Sequence, residues 1–508
     1  MKDAELLLLE DQIRNGALTT VKQKLIAAIN SAQVPRRQAA TLSAMARRAG
    51  ALDLSLRILK PIIRTTKDLE TPISPLEKGE YAASLLKVGA VTEADRLLAE
   101  IDPKDYPRVL LYQSFSLFRQ WRYEEAIPLL EQLAKNSDLE LYDQAVVSLN
   151  LAASFTVANR FLEAANLLEK WEATIQENSW LQLKDLAQEL RMQALIGLGK
   201  FSEAESIIRS SEVSHPTENH QFILKKRLFF LRCSSKISTI LREEFVEFRR
   251  EAFDFSDWDA MRDCDFYQGV AMQDQRYLSK VFYGSPFLKY RSMVKQALAQ
   301  SSMVVPEEFN FTHPVENPTT ECQIDLWSGK AAGSDLSFPP GLTMHKILCA
   351  LTHDFYRPVP TGEIFYHLFP TEAFDPESSP NRIYNLLFRF RKSVDQANLG
   401  MKVIDRANGF KLFLGDKTSI RIPLGFQSID LHDREAYLGK LLHRHFGQTL
   451  FQTKEAANLL DLTVARTQTF LNALVGTKDV QVLGRGRYTQ YQFSNLNINS
   501  PPRAVNSR

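Results

Sequence analysis

The chain has 508 residues, 44% of them hydrophobic and 24% charged, with a formal net charge of +2; this is ordinary globular composition, with length for about three domains. No window approaches the roughly 20 apolar residues of a membrane span, and the four-leucine run in MKDAELLLLEDQ is flanked by acids, so the expectation is a soluble, cytoplasmic protein with no membrane partner. Cys233, Cys264, Cys322 and Cys349 are widely spaced without a CxxC pair, which suggests neither a zinc site nor a disulfide framework.

The first three hundred residues repeat themselves. A small residue preceded by an acid recurs within an apolar helix in AVTEADRLLAE, RYEEAIPLLEQ, RFLEAANLLEK and KFSEAESIIRS, centred on Ala94, Ala126, Ala164 and Ala204; ALDLSLRILKP around Ser55 is a weaker copy. The period predicts helical hairpins stacked in a solenoid. Each copy follows an amphipathic helix: GEYAASLLKVG, RVLLYQSFSLFRQ, QAVVSLNLAASFTVA or LAQELRMQALIGLG. The alanine permits close helix approach, and Tyr123, Phe161 or Phe201 fills the gap at the turn. These residues resemble the tetratricopeptide repeat, which implies a surface for an unknown protein or peptide partner; the alanines and aromatics themselves are internal packing.

The repeat fades after about Ser210 while helical periodicity continues. Trp258 to Arg291 is dense in aromatics and charges, the composition of a capping or interdomain surface, although interleaved basic and aromatic residues also bind nucleic acid. Residues 1–300 are therefore read as the helical-repeat domain, and 301–321, rich in breakers and without periodicity, as a linker.

The stretch from Ser379 to Leu414 predicts a capped amphipathic helix followed by two strands joined by a tight turn at Asn408 and Gly409. Ile383, Leu387, Phe390 and Val394 share a buried face; Arg382, Asn385, Arg389 and Lys392 share another. Arg forks onto guanine O6/N7, Asn onto adenine N6/N7, and Lys meets phosphate, so this row has the chemistry of major-groove readout. A merely solvated helix face is the alternative.

From about Cys322 to Leu414 the chain resembles the DNA-binding winged helix of OmpR-type response regulators. CQIDLWSGKAAGSDLSF is similar to that family's leading sheet, LTMHKILCALTHDFYRPVPTGEIFYHLF to its first two helices, NRIYNLLFRFRKSV to its recognition helix and IDRANGFKLF to its wing. The resemblance implies base or phosphate contacts at Asn381, Arg382, Asn385, Arg389, Arg391 and Arg406. Phe388 departs from it, standing where the family tends to carry a polar or basic group, and no receiver domain with a phospho-accepting aspartate is recognisable upstream. This module is assigned to 322–425.

A second winged helix-turn-helix, of no named subfamily, is expected in 426–493. A short helix around Lys454 to Leu460, a turn at Asp461 and Leu462, and a helix from Thr463 to Val475 lead into two strands flanking Gly484 to Gly486. Phe470, Leu471 and Leu474 face its core, leaving Arg466, Gln468, Thr469 and Asn472 outside and Arg485 and Arg487 on the wing. Winged helices also serve as dimerisation or protein-binding modules, so a homodimer is an open alternative. Residues 494–508 are expected to be a disordered tail.

From Leu342 onward the chain carries 21 Lys+Arg against 14 Asp+Glu, a formal +7, which leaves −5 for the remainder. The positive charge sits with the expected DNA-binding modules, where counterion release favours a polyanion. No Walker loop, GxSxG elbow or HExxH occurs, so neither an enzyme nor a metal or cofactor is expected. The fold class expected is mainly α, a tetratricopeptide-like α-solenoid followed by two winged helix-turn-helix (α+β) domains. The expected function is that of a bacterial-style transcriptional regulator acting on double-stranded DNA; the alternative is a cytoplasmic scaffold whose repeats and winged helices bind proteins.

Overall fold

The computed structural model describes residues 2–31, 34–65, 71–210, 218–312, 321–406, 409–426 and 430–494. The protein is predominantly helical, with small sheets in its C-terminal part. It divides into two compact units: Met1–Val305 with Asp354–Asn385 and Asp405–Lys411, and Pro306–His353 with Leu386–Ile404 and Leu412–Arg508.

The first unit begins with helices joined in pairs by short turns: α1 (Asp3–Arg14) and α2 (Leu18–Ser31), α3 (Arg36–Arg48) and α4 (Leu52–Ile63), α5 (Pro75–Lys87) and α6 (Val91–Ala99), α7 (Val109–Arg119) and α8 (Tyr123–Ala134), α9 (Leu141–Val157) and α10 (Phe161–Glu177), α11 (Leu181–Gly197) and α12 (Phe201–Ser210). Partners pack on each other, and α3 with α5, α5 with α7 and α9 with α11 also pack between pairs. The turn inside a pair needs one left-handed residue. Gly50, Gly89 and Gly199 supply it without strain, whereas Asn159 and Trp121 adopt it at a steric cost. Ala94, Ala126, Ala164 and Ala204 are fully buried, as their spacing predicts, and so is Ser55, whose hydroxyl links those of Ser43 (2.8 Å) and Ser84 (2.6 Å).

Helices α13 (Glu218–Ser235), α14 (Arg242–Asp254), α15 (Trp258–Ala271), α16 (Gln275–Gly284) and α17 (Leu288–Gln300) continue the array. The charged, aromatic stretch from Trp258 to Arg291 turns inward. Asp265, fully buried on α15, accepts from Arg249 (2.8 Å), Lys280 (2.7 Å) and Tyr356 (2.8 Å). Burial alone would push its carboxyl up, yet Arg249 and Lys280 hold it below the ordinary carboxylate value. Beside it the buried Arg262 bonds Asp259 (3.0 Å) and Asp354 (2.6 Å) and lies over Phe287. This segment is therefore packing within the unit and secures residues 354 to 356.

Helix α18 (Thr343–Leu351) belongs to the second unit and is followed by α19 (Thr361–Leu368), which belongs to the first. The N-terminus of α19 seats on the α5–α6 turn, where the Gly362 amide donates to Val88 O at 3.0 Å. A Cβ at Gly362 would stand 2.6 Å from Val88 O and Ala90 N, so only glycine permits this approach.

In the second unit, β1 (Glu308–Phe311), β2 (Cys322–Asp325), β3 (Ala331–Ala332) and the later β6 form one sheet; β4 (Met401–Arg406) and β5 (Gly409–Leu414) form a hairpin, and β6 is Thr418–Pro423. The sheet order is β1-β6-β2-β3, with β1 antiparallel and β2 parallel to β6. The expected linker 301–321 thus requires correction: it contains β1, a short strand whose pairing partner lies far ahead in sequence. Residues 313–320 of that linker, and Asn408 of the expected turn, lie outside the described residues.

Helix α20 (Ser378–Gln396) runs across the division between the units. Later come α21 (Arg434–Phe446), α22 (Thr453–Leu460), α23 (Val464–Gly476), β7 (Val480–Leu483) and β8 (Gln490–Phe493), the last two paired antiparallel. Asp461 takes the left-handed conformation that ends α22 and starts the turn into α23. The tail beyond Ser494 lies outside the described residues.

Candidate nucleic-acid interface

Helix α20 divides as its sequence periodicity requires. Ile383, Leu387, Phe390 and Val394 are buried, with the Phe390 ring stacked on Phe338 at 5.4 Å. Asn381, Asn385, Arg389 and Lys392 are exposed on the other side. Phe388, at 67% exposure, and Tyr384, at 48%, interrupt that cationic and amide-bearing row with apolar surface.

The remaining residues expected on this interface have intramolecular partners. Arg382 pairs with Glu372, and its guanidinium lies 3.9 Å from the centre of the Phe369 ring. The hydrogen bond to Glu372 raises its pKa, so it stays cationic while facing a carboxylate. Arg391 donates Nε to the Val403 carbonyl at 3.0 Å, bracing α20 against β4. Arg406, expected at the wing, lies over the Phe253 ring of α14 at 5.4 Å. Among the expected contacts of the first module, the structure thus brings Asn381, Asn385, Arg389 and Lys392 to the exposed face of α20 and engages Arg382, Arg391 and Arg406 in packing.

The segment leading into α20 is held within the first unit. Lys60 bridges Asp375 and Glu377, each at 2.7 Å. Glu93 pairs with Arg64 and accepts from Tyr366 Oη (2.6 Å) and the Phe374 amide (2.7 Å). Lys411 on β5 donates to the carbonyls of Phe355 and Tyr356 and lies over Trp258.

In the second expected module, Phe470 and Leu471 are buried and Leu474 is partly so, while Arg466, Thr469, Asn472 and Arg485 are exposed. Gln468 has a different role from the outward one expected. Its amide donates to Tyr491 Oη (2.6 Å) and Asn472 Oδ1 (3.0 Å) and accepts from Thr453 Oγ1 (3.0 Å), tying α23 to α22 and β8. The side chain of Arg487 lies outside the described residues. Two residues were missed from the sequence. Tyr488 is 68% exposed beside Arg485, and GRGRY held the signal for it. Arg434 on α21 lies close enough to Arg466 that burial first, and that second cation next, lower its pKa; no spacing rule links positions on those two helices.

No helix among the described residues is long and apolar enough to cross a membrane. In comparisons with known proteins, no family model and no curated protein matches the chain.

Proposed function

We propose that this chain is a DNA-binding transcriptional regulator. In this reading α18 to α20 with the β4–β5 hairpin, and α22 and α23 with β7–β8, are two winged helix-turn-helix modules. The tetratricopeptide-like pairs upstream are an arm that docks a protein or peptide. The observation that carries the reading is the split of α20: an apolar stripe sealed inside, and Asn381, Asn385, Arg389 and Lys392 turned to solvent. Those groups can fork onto purine edges or meet phosphate, as a helix in the major groove must. The exposed Arg466 and Arg485 extend the same chemistry to the second module.

Replacing Arg389 and Lys392 together by Glu tests this. Mobility-shift titrations over a salt series should show weaker duplex binding and a log–log salt slope shallower by about 2, one for each phosphate contact removed. Unchanged affinity and slope would defeat the reading. A scaffold role is the second reading, favoured by Phe388: an aromatic at 67% exposure in the middle of the row suits a protein interface better than a phosphate wall.

A further inference from the structure

The antiparallel pair β7–β8 has one closed side and one open side. On the closed side Tyr491 donates its N–H to the Phe451 carbonyl (2.8 Å) and accepts from the Phe451 N–H (3.0 Å). Main-chain groups alternate sides along an antiparallel ladder, so Gln490 and Gln492 turn toward β7, and Leu483 and Gln481, opposite them, turn toward β8. The Ser494 amide, donating to the Asp479 carbonyl at 2.9 Å, continues the alternation. The N–H and C=O groups of Val480 and Val482 therefore face away from β8, and among the described residues no strand pairs with them.

Open edges are ordinarily blunted by charge, proline or shortness. Among the described residues the other edges follow this rule: β1 begins with Glu308, β3 has two residues, and β4 carries Lys402 and Asp405. The sequence of β7, Val-Gln-Val-Leu, has no such device, and Val482 and Leu483 leave apolar surface exposed beside the unpaired main-chain groups. A charge stands at each end of the strand. Asp479 precedes it and Arg485 follows it; both are exposed, and neither forms an ion pair among the described residues.

We propose that β7 pairs with β7 of a second copy of this chain, antiparallel about a two-fold axis at Val482. Outward residues then meet outward residues, as an antiparallel ladder requires: Val482 faces its counterpart and exchanges two hydrogen bonds with it, and Val480 faces Gly484. Gln481 faces Leu483, and Asp479 faces Arg485 at both ends. Gly484, with a φ of 79°, bends the chain, but Arg485 is extended again (φ −144°, ψ 153°) and has a long side chain to cover the remaining reach. A register centred on Gln481 keeps the hydrogen-bond alternation, yet it sets Asp479 against Leu483 and leaves both charges unmatched. Charge thus selects one register among those the backbone allows. A four-residue strand buries far less than a standard interface of about 1,600 Å², so the dimer is weak and concentration-dependent. The proposal is independent of DNA binding by α20; the two readings compete only for Arg485.

Sedimentation equilibrium of the full chain over rising concentration tests it, and should fit a monomer of 57.9 kDa in exchange with a species of twice that mass. Val482→Pro removes an outward N–H without touching the β7–β8 ladder and should weaken association by about tenfold or more. Asp479→Arg sets like charges together at both ends, and so does Arg485→Asp, so each variant alone should stay monomeric over the same range. Mixed in equal amounts, the two should recover the dimer, because both ends then join opposite charges. That recovery also shows that both variants are folded. A monomer at every concentration, a dimer insensitive to Val482→Pro, charge variants that dimerise alone, or folded charge variants that fail to complement each other would each overturn the proposal. Loss of duplex binding in the Arg389 and Lys392 variant with dimerisation retained would defeat the DNA reading and leave this one standing.

Discussion

Acid should destabilise the second unit through a single histidine. His345 on α18 is fully buried. Its Nδ1 accepts the Gly341 backbone N–H at 3.1 Å, so the proton of the neutral ring sits on Nε2, which donates to the Leu326 carbonyl at 2.9 Å. Protonation would set a second ring N–H against the Gly341 N–H and leave a buried cation. Burial therefore lowers the pKa from 6.5 to about 4, against the smaller opposing pull of the Leu326 carbonyl. In the unfolded chain the ring takes up a proton below about pH 6.5, whereas the folded ring resists until about pH 4. The stability it contributes is complete above the unfolded pKa and is lost as pH falls toward the folded one. At 1.36 kcal/mol per pH unit, that loss is about 3 kcal/mol.

Urea unfolding of the native chain and of His345→Gln, followed between about pH 7 and pH 4.5, isolates the effect, because other groups titrate alike in both proteins. The native chain should lose stability more steeply than the variant on the acid side. Because α18, the Leu326 backbone and the Phe338–Phe390 stack lie in the same unit, the duplex binding we propose should weaken over the same range. Nitrogen-resolved NMR of labelled histidine gives a reading that needs no variant. A ring titrating near 6.5, a proton resident on Nδ1, or coincident pH profiles for the two proteins would refute the reasoning.

Gly362→Ala should lower the melting temperature of the first unit, with an overpacking cost of about 1–3 kcal/mol, since the added Cβ meets the backbone of Val88 and Ala90; alanine tolerated without loss in differential scanning calorimetry would show that α19 does not seat there. The Lys411 ammonium is pushed down to about 7 by burial, with Asp354 opposing and Arg249, Arg262 and Lys280 adding to the shift. Above that value the folded chain sheds a proton that the unfolded chain keeps until about 10.5, so this lysine makes stability rise with pH between the two; urea titrations should show the rise diminished in Lys411→Met.

Local periodicity was enough to locate much of the helical framework. The alanine-centred copies place Ala94, Ala126, Ala164 and Ala204 on buried helix faces because a 3.6-residue repeat has only one way to bury its apolar side. The same rule located α20 and its two faces, and the glycines at 484 and 486 marked the connection between β7 and β8. Gly362 carried no such signal, since its need for a missing Cβ comes from a turn far away in sequence.

What the sequence determined by itself, then, is the mainly helical character, the sealed stripe of α20 and the solvent-facing set Asn385, Arg389 and Lys392, all consequences of short-range spacing, while the exposed Asn381 was implied only by the winged-helix resemblance. The tertiary structure alone decided that Glu308–Phe311 is a strand, that Arg382 and Arg406 lie against rings, and that Gln468 bonds inward. A strand so short exists through its ladder with a distant partner, and a long cationic or amide side chain takes whichever ring, carboxylate or hydroxyl folding brings within reach; neither outcome is written in the neighbouring residues.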